Sequence, residues 1–117
     1  MIVSIHEYTL VDDATPAAFE AAVAEAESRN LFDLPGLSEY WFLKGIKGAR
    51  TDRYTAVWQY ESRGAWRQLW GPVDDPKPKT EYPEPWLEWE DDLLAPVLSG
   101  DPDEIRFTSY RTLDDLK

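Results

Sequence analysis

Hydrophobic and polar positions along the chain alternate with period two in some stretches and recur with period 3.6 in others. From Ile2 to Leu10, β-branched and aromatic residues interleave with polar ones, which predicts a strand. One face carries Ile2, Ser4, His6, Tyr8 and Leu10, and the other Val3, Ile5, Glu7 and Thr9. Thr15-Pro16 then reads as a helix start, a hydroxyl that caps free amides followed by a proline at the first helical position. Phe19, Ala22, Val23 and Ala26 recur at helical spacing and form one narrow apolar stripe, with Glu20, Glu25 and Glu27 off it. Asn30 suits a left-handed stop.

Leu34-Pro35-Gly36 turns the chain into a second strand, expected from Leu37 to about Ile46. Within it Tyr40-Trp41-Phe42-Leu43 is apolar without a break. A sheet with one wet face should alternate, so this run predicts cover on both faces, most simply from a partner subunit. Gly45-Ile46-Lys47-Gly48 and Arg50-Thr51-Asp52 make a hairpin into a third strand, Arg53 to Tyr60. That strand puts Tyr54, Ala56, Trp58 and Tyr60 on one face and Thr55, Val57 and Gln59 on the other. Ser62 is placed to cap a short helix carrying Ala65, Trp66, Leu69 and Trp70, which Gly71-Pro72 ends.

Between Gly71 and Pro85 five prolines (72, 76, 78, 83 and 85) predict a stiff, extended loop, either a lid or a structural cap. A further helix is expected from about Trp86 to Val97, with Trp86, Trp89, Leu93, Leu94 and Val97 on one side. After the turn Gly100-Asp101-Pro102, a last strand spans Ile105 to Thr112, and Leu113 to Lys117 reads as a short frayed tail. This order predicts one α+β domain over residues 1–117: a ferredoxin-like βαββαβ sandwich. Its four-stranded antiparallel sheet would carry both helices on one face, the second helix split by the Pro-rich loop.

Composition narrows the partners. The chain has 117 residues, 23 acidic and 12 basic side chains and a net charge of −11, so phosphate backbones and anionic membrane surfaces would be repelled. No cysteine is present, which removes disulfides, thiolate metal sites and a cysteine nucleophile. Met1-Ile2-Val3-Ser4 leads straight into a strand with no leader pattern, and no apolar stretch approaches the roughly 20 residues that span a bilayer. A cytoplasmic protein is expected. Six Trp, six Tyr and four Phe are a heavy aromatic load, suited to cores, pockets and interfaces.

His6 is the only histidine and the only side chain that ordinarily titrates near neutrality. With the first and third strands adjacent, it would lie near Trp58 or Tyr60. There it can act as a general base toward an acidic phenol or enol, with Tyr8 or Tyr60 binding the developing oxyanion. The plainer reading is a histidine bonded to a neighbouring hydroxyl of the sheet. Trp66, Trp70, Trp86 and Trp89 read first as core anchors. With Tyr40, Phe42 and Trp58 they are also candidates to line a pocket for a flat aromatic ligand. Glu88, Glu90, Asp91 and Asp92 read as a solvated face rather than a metal site. Arg53, Arg106 and Arg111 suit neutralisation of carboxylates better than capture of an anionic ligand. No phosphate loop, dinucleotide fingerprint, nucleophile elbow or metal spacing occurs, and no cofactor is called for.

Leu34-Pro35-Gly36-Leu37 before Tyr40-Trp41-Phe42-Leu43, then Tyr54-Thr55-Ala56-Val57-Trp58-Gln59-Tyr60-Glu61-Ser62 running into a helix, resembles the dimeric α/β-barrel superfamily. That superfamily includes the antibiotic-biosynthesis monooxygenase-like proteins. The resemblance implies that two subunits pack their open sheet faces into a barrel, and that each can hold a small ligand between its own sheet and helices. It implies no single activity, since members include cofactor-free monooxygenases, haem-degrading enzymes, isomerases and proteins of unknown role. Monooxygenase-like members often carry a histidine after the helix that follows the third strand, whereas Leu69-Trp70-Gly71-Pro72 has none. Haem-handling members use a helical histidine, and His6 is in a strand, so haem is not expected. The Trp70-to-Trp86 insert resembles a subgroup of unknown role. The reading is a homodimer that binds a small hydrophobic or aromatic molecule. The alternative is a cofactor-independent monooxygenase or isomerase acting on an aromatic, polyketide-like substrate.

Overall fold

In the computed structural model, which describes residues 1–113, the period-two stretches become four strands. These are β1 (Ile2–Tyr8), β2 (Leu37–Lys44), β3 (Tyr54–Tyr60) and β4 (Arg106–Arg111). They form one sheet in the order β2-β3-β1-β4, every pair antiparallel. The expected faces are those observed: Tyr54, Ala56, Trp58 and Tyr60 are buried, while Thr55, Val57 and Gln59 between them are half-buried. Register extends the buried face across the sheet, setting Ser4 opposite Trp58, His6 opposite Ala56 and Tyr8 opposite Tyr54.

Strand ends differ from expectation, and each difference has a partner behind it. β1 stops at Tyr8 because Leu10 leaves the sheet to bridge Leu98. β2 stops at Lys44, where the Gly45 N–H donates to the Arg53 carbonyl at 2.9 Å and the hairpin begins. β4 is shorter at both ends than the expected 105–112. Of the expected frayed tail only Leu113 is among the described residues; residues 114–117 lie outside them.

The chain divides into two compact units. The first holds Met1–Tyr8, Pro35–Pro76 and residues 106–113, and so contains the whole sheet and the helix α2 (Arg63–Trp70). Ser62 caps α2 as expected, its Oγ accepting the Ala65 N–H at 3.1 Å, and Gly71 ends it at φ 87°. Gly36 approaches α2 so closely that a Cβ there would lie 2.5 Å from Ala65 Cβ. The second unit holds Thr9–Leu34 and Lys77–Ile105. Its helix α1 (Pro16–Ser28) begins where Thr15 Oγ1 accepts the Ala18 N–H at 3.1 Å, and the chain reverses at Asn30 with φ 59°.

The last helical stretch starts two residues before the expected Trp86. It comprises α3 (Glu84–Leu87), a π-helical segment Glu88–Leu94 and a 3₁₀ turn Ala95–Val97. Pro83 and Pro85 fit its start because the first helical amides have no intrahelical partner to lose. The Pro-rich connection is interrupted by a 3₁₀ turn at Lys79–Glu81. Trp86, Trp89 and Leu94 are buried, and Trp89 meets Phe32 edge-on at 5.1 Å between centroids. The acidic run on this stretch is not uniformly solvated, contrary to expectation. Asp91 and Asp92 are exposed, but Glu90 is 4% exposed, because it falls midway between Trp86 and Leu94 on the buried stripe. Among the described residues no helix is long and apolar enough to cross a membrane.

Candidate ligand-binding face

The buried face of the sheet can be read row by row. Phe42, Ala56, His6 and Phe107 succeed one another across β2, β3, β1 and β4; the next row is Tyr40, Trp58, Ser4 and Ser109. Ala56 puts no ring between Phe42 and His6, and the Trp58 indole leans into that space. Its centroid lies 5.5 Å from Phe42, edge to face, and 5.7 Å from His6 at a tilt of 54°. Tyr40 stacks on Trp58 at 5.6 Å, Tyr8 stacks on Phe42 at 6.5 Å, and Phe107 meets His6 edge-on at 5.9 Å. Trp58 is therefore the hub of an aromatic cluster whose outer members, His6, Tyr40 and Phe42, are half-buried, with Phe107 59% exposed at the edge strand. Offset and edge-on ring contacts of this kind add to simple area burial.

Chemistry follows from the enclosure of His6. Its Nδ1 is buried, and burial lowers the imidazole pKa from 6.5 to about 4, so the ring is neutral at physiological pH. A base that weak is poorly matched to a phenol near pKa ~10, whereas a neutral imidazole is a good hydrogen-bond partner for a hydroxyl. The neighbouring hydroxyl on the strand, Ser4 Oγ, is engaged with Ser109 Oγ at 2.7 Å.

The sequence candidates separate into groups. His6, Tyr8, Tyr40, Phe42 and Trp58 come together. Tyr60 does not join them: it opposes Ile2, four residues or about 13 Å along β3 from the residue opposite His6. Its hydroxyl accepts the Trp70 Nε1–H at 3.1 Å, and burial raises its pKa, so it is held neutral rather than poised to carry an oxyanion charge. Trp66, half-buried, and Trp70 belong to α2 of the same unit, whereas Trp86 and Trp89 belong to the second unit. Among the described residues no group of three or more His, Cys, Asp or Glu side chains is arranged to hold a metal ion. Arg106 acts on a carboxylate, Nε lying 3.6 Å from Glu7 Oε2, and Arg50 joins it at 3.3 Å from Oε1. Phe107 was not among the sequence candidates. Its alternation with Ser109 and the antiparallel register of β4 would have placed it beside His6.

No protein-family model matches the chain, and comparison with curated proteins finds no match. Solved structures do match. A putative antibiotic biosynthesis monooxygenase from Bordetella bronchiseptica is similar at TM-score 0.60 and 21% identity, over 96% of this chain and 96% of that one. SnoaB, a cofactor-independent oxygenase from Streptomyces nogalater, is similar at TM-score 0.61 and 13% identity, over 95% and 91%. A dimeric ferredoxin-like protein of unknown function from Thermobifida fusca is similar at TM-score 0.59 and 17% identity, over 95% and 90%. The chain has the ferredoxin-like α+β fold of these neighbours. At these identities the likeness is one of fold.

Proposed function

We propose that the protein binds a small, flat hydrophobic or aromatic molecule against the half-buried rings around Trp58, and that it does so as a homodimer. The observation that carries the binding reading is the half-buried outer rank of the cluster: Phe42 and Tyr40 lie around the fully buried Trp58, and His6 beside them offers a neutral imidazole. Such a surface suits a ring bearing a hydroxyl, with stacking from Phe42 and Tyr40 and a hydrogen bond at His6. Calorimetric titration with 1-naphthol tests it. Saturable binding that Phe42→Ser weakens about tenfold, the loss of one well-placed ring contact, supports the reading. Equal heats for wild type and variant, or none, overturn it.

A second reading, cofactor-independent oxygenation or isomerisation of an aromatic substrate with His6 as base, draws on the fold likeness to SnoaB and on the place of His6 among the rings. The low basicity of His6 favours binding over this chemistry. Turnover of a phenolic substrate that disappears in His6→Ala would reverse the preference.

The dimer reading rests on the other face of the sheet. There Trp41, Val57 and Ile5 form one row, with Leu43 and Tyr110 in the flanking rows. Trp41, Leu43 and Tyr110 are 42%, 48% and 52% exposed, an apolar patch on one face of a sheet. A second copy laid on this face would supply the cover that the Tyr40–Leu43 run calls for.

A further inference from the structure

Glu90 is the one buried ionisable carboxylate among the described residues, and neither the binding reading nor the dimer uses it. It lies in the π-helical segment, a rare winding that often marks a working part of a helix. The Trp86 indole donates to its carboxyl from four residues back, yet Oε1 has no hydrogen-bond partner among the described residues. A buried carboxylate with an unsatisfied oxygen is tolerable when neutral and costly when charged.

The groups around it are few and mostly of one sign. From its own segment comes Asp91, and from the 3₁₀ turn Pro102–Glu104 comes Asp103, beside Asp101. From the Pro-rich connection come Lys79 and Tyr82. Arg29, at the end of α1, is taken by Glu25 at 2.8 Å and by Glu88 at 3.1 Å. Lys79 is bound to Asp91 at 2.7 Å and lies 4.0 Å from Asp101, while Tyr82 donates its hydroxyl to Asp103 at 3.3 Å. Two side chains of the 79–82 segment thus fasten it to the acids on either side of Glu90. Lys79 already faces two aspartates, Asp91 and Asp101. A charge on Glu90 makes three anions around that one cation and adds to the repulsion from Asp103.

We propose that Glu90 is a protonation-operated latch for the 79–82 segment, which stays fastened while the carboxyl is neutral and is released to water when the carboxyl ionises. Burial, ahead of the repulsion from Asp103 and Asp91, raises the group from 4.5 to about 7, which brings the device into the physiological range. Lys79 acts in the opposite direction.

Hydrogen exchange of the full-length protein, corrected for intrinsic rates, tests the latch. In wild type, protection of amides in 79–90 should fall by up to about tenfold per pH unit from about pH 4.5 to about pH 7 and level off above it, with the β1 and β3 amides unchanged. Glu90→Gln, which keeps the shape and cannot ionise, should remove the fall. Asp103→Asn, whose amide oxygen can still accept from Tyr82, should move the midpoint of the fall to lower pH, which preserves the test if Glu90→Gln does not fold. Protection independent of pH in wild type would overturn the proposal, as would an unchanged fall in Glu90→Gln or a midpoint that does not move in Asp103→Asn.

Discussion

Two buried groups with displaced titrations, His6 and Glu90, give the protein an unusual acid–base profile. The folded pKa of His6 is about 4 against an ordinary 6.5, so its contribution to stability is complete above 6.5 and lost as pH falls toward 4. That of Glu90 is about 7 against 4.5, so its contribution is complete below 4.5 and lost as pH rises toward 7. Between those limits the two slopes oppose each other. Urea titrations across this range should therefore find Glu90→Gln gaining stability relative to wild type as pH rises, by roughly 1.4 kcal/mol per unit at most. His6→Gln should lose stability relative to wild type over the same range. Two variants that track wild type would contradict both assignments. Of the two groups, His6 was legible, since strand alternation and adjacency of β1 and β3 place it beside Trp58. Glu90 was not, because its run was read by charge. Counting four residues from Trp86 and four more to Leu94 puts it on the buried stripe.

Helix starts were the most legible elements, because a cap is settled by residues three apart. Thr15 and Ser62 both cap as their sequences indicate, and Ser62→Ala should cost about 1 kcal/mol in thermal or urea unfolding. Strand ends and helix winding were less legible, since distant partners set them: Leu98 draws Leu10 out of β1, and nothing local announces the π winding of Glu88–Leu94. The join of Gly36 to α2 is a demanding contact within the first unit. Gly36 has φ 85°, and an alanine there would be both strained and within 2.5 Å of Ala65 Cβ. Gly36→Ala should cost roughly 2–4 kcal/mol, and adding Ala65→Gly should recover the part due to overlap but not the part due to φ. Full recovery would place the whole cost in the contact.

For the whole molecule, the element order and antiparallel sheet were readable from periodicity, and the solved structures of like fold agree with both. Function was less readable, because the aromatic residues that make a face also make a core. The same patterning leaves Trp41, Leu43 and Tyr110 exposed on the other face. Two chains that each carry −11 repel one another, so the proposed dimer should tighten as salt is raised. Light scattering should report a dimer that Trp41→Glu with Leu43→Glu converts to monomer; a monomeric wild type at micromolar concentration would refute it. The central claim, that the rings around Trp58 form a ligand face, is tested most directly by NMR with 1-naphthol as probe. The His6 ring and Trp58 indole resonances should shift first and saturably, and Phe42→Ser should blunt the response. Shifts confined to Trp41 and Tyr110, or none that saturate, would contradict it.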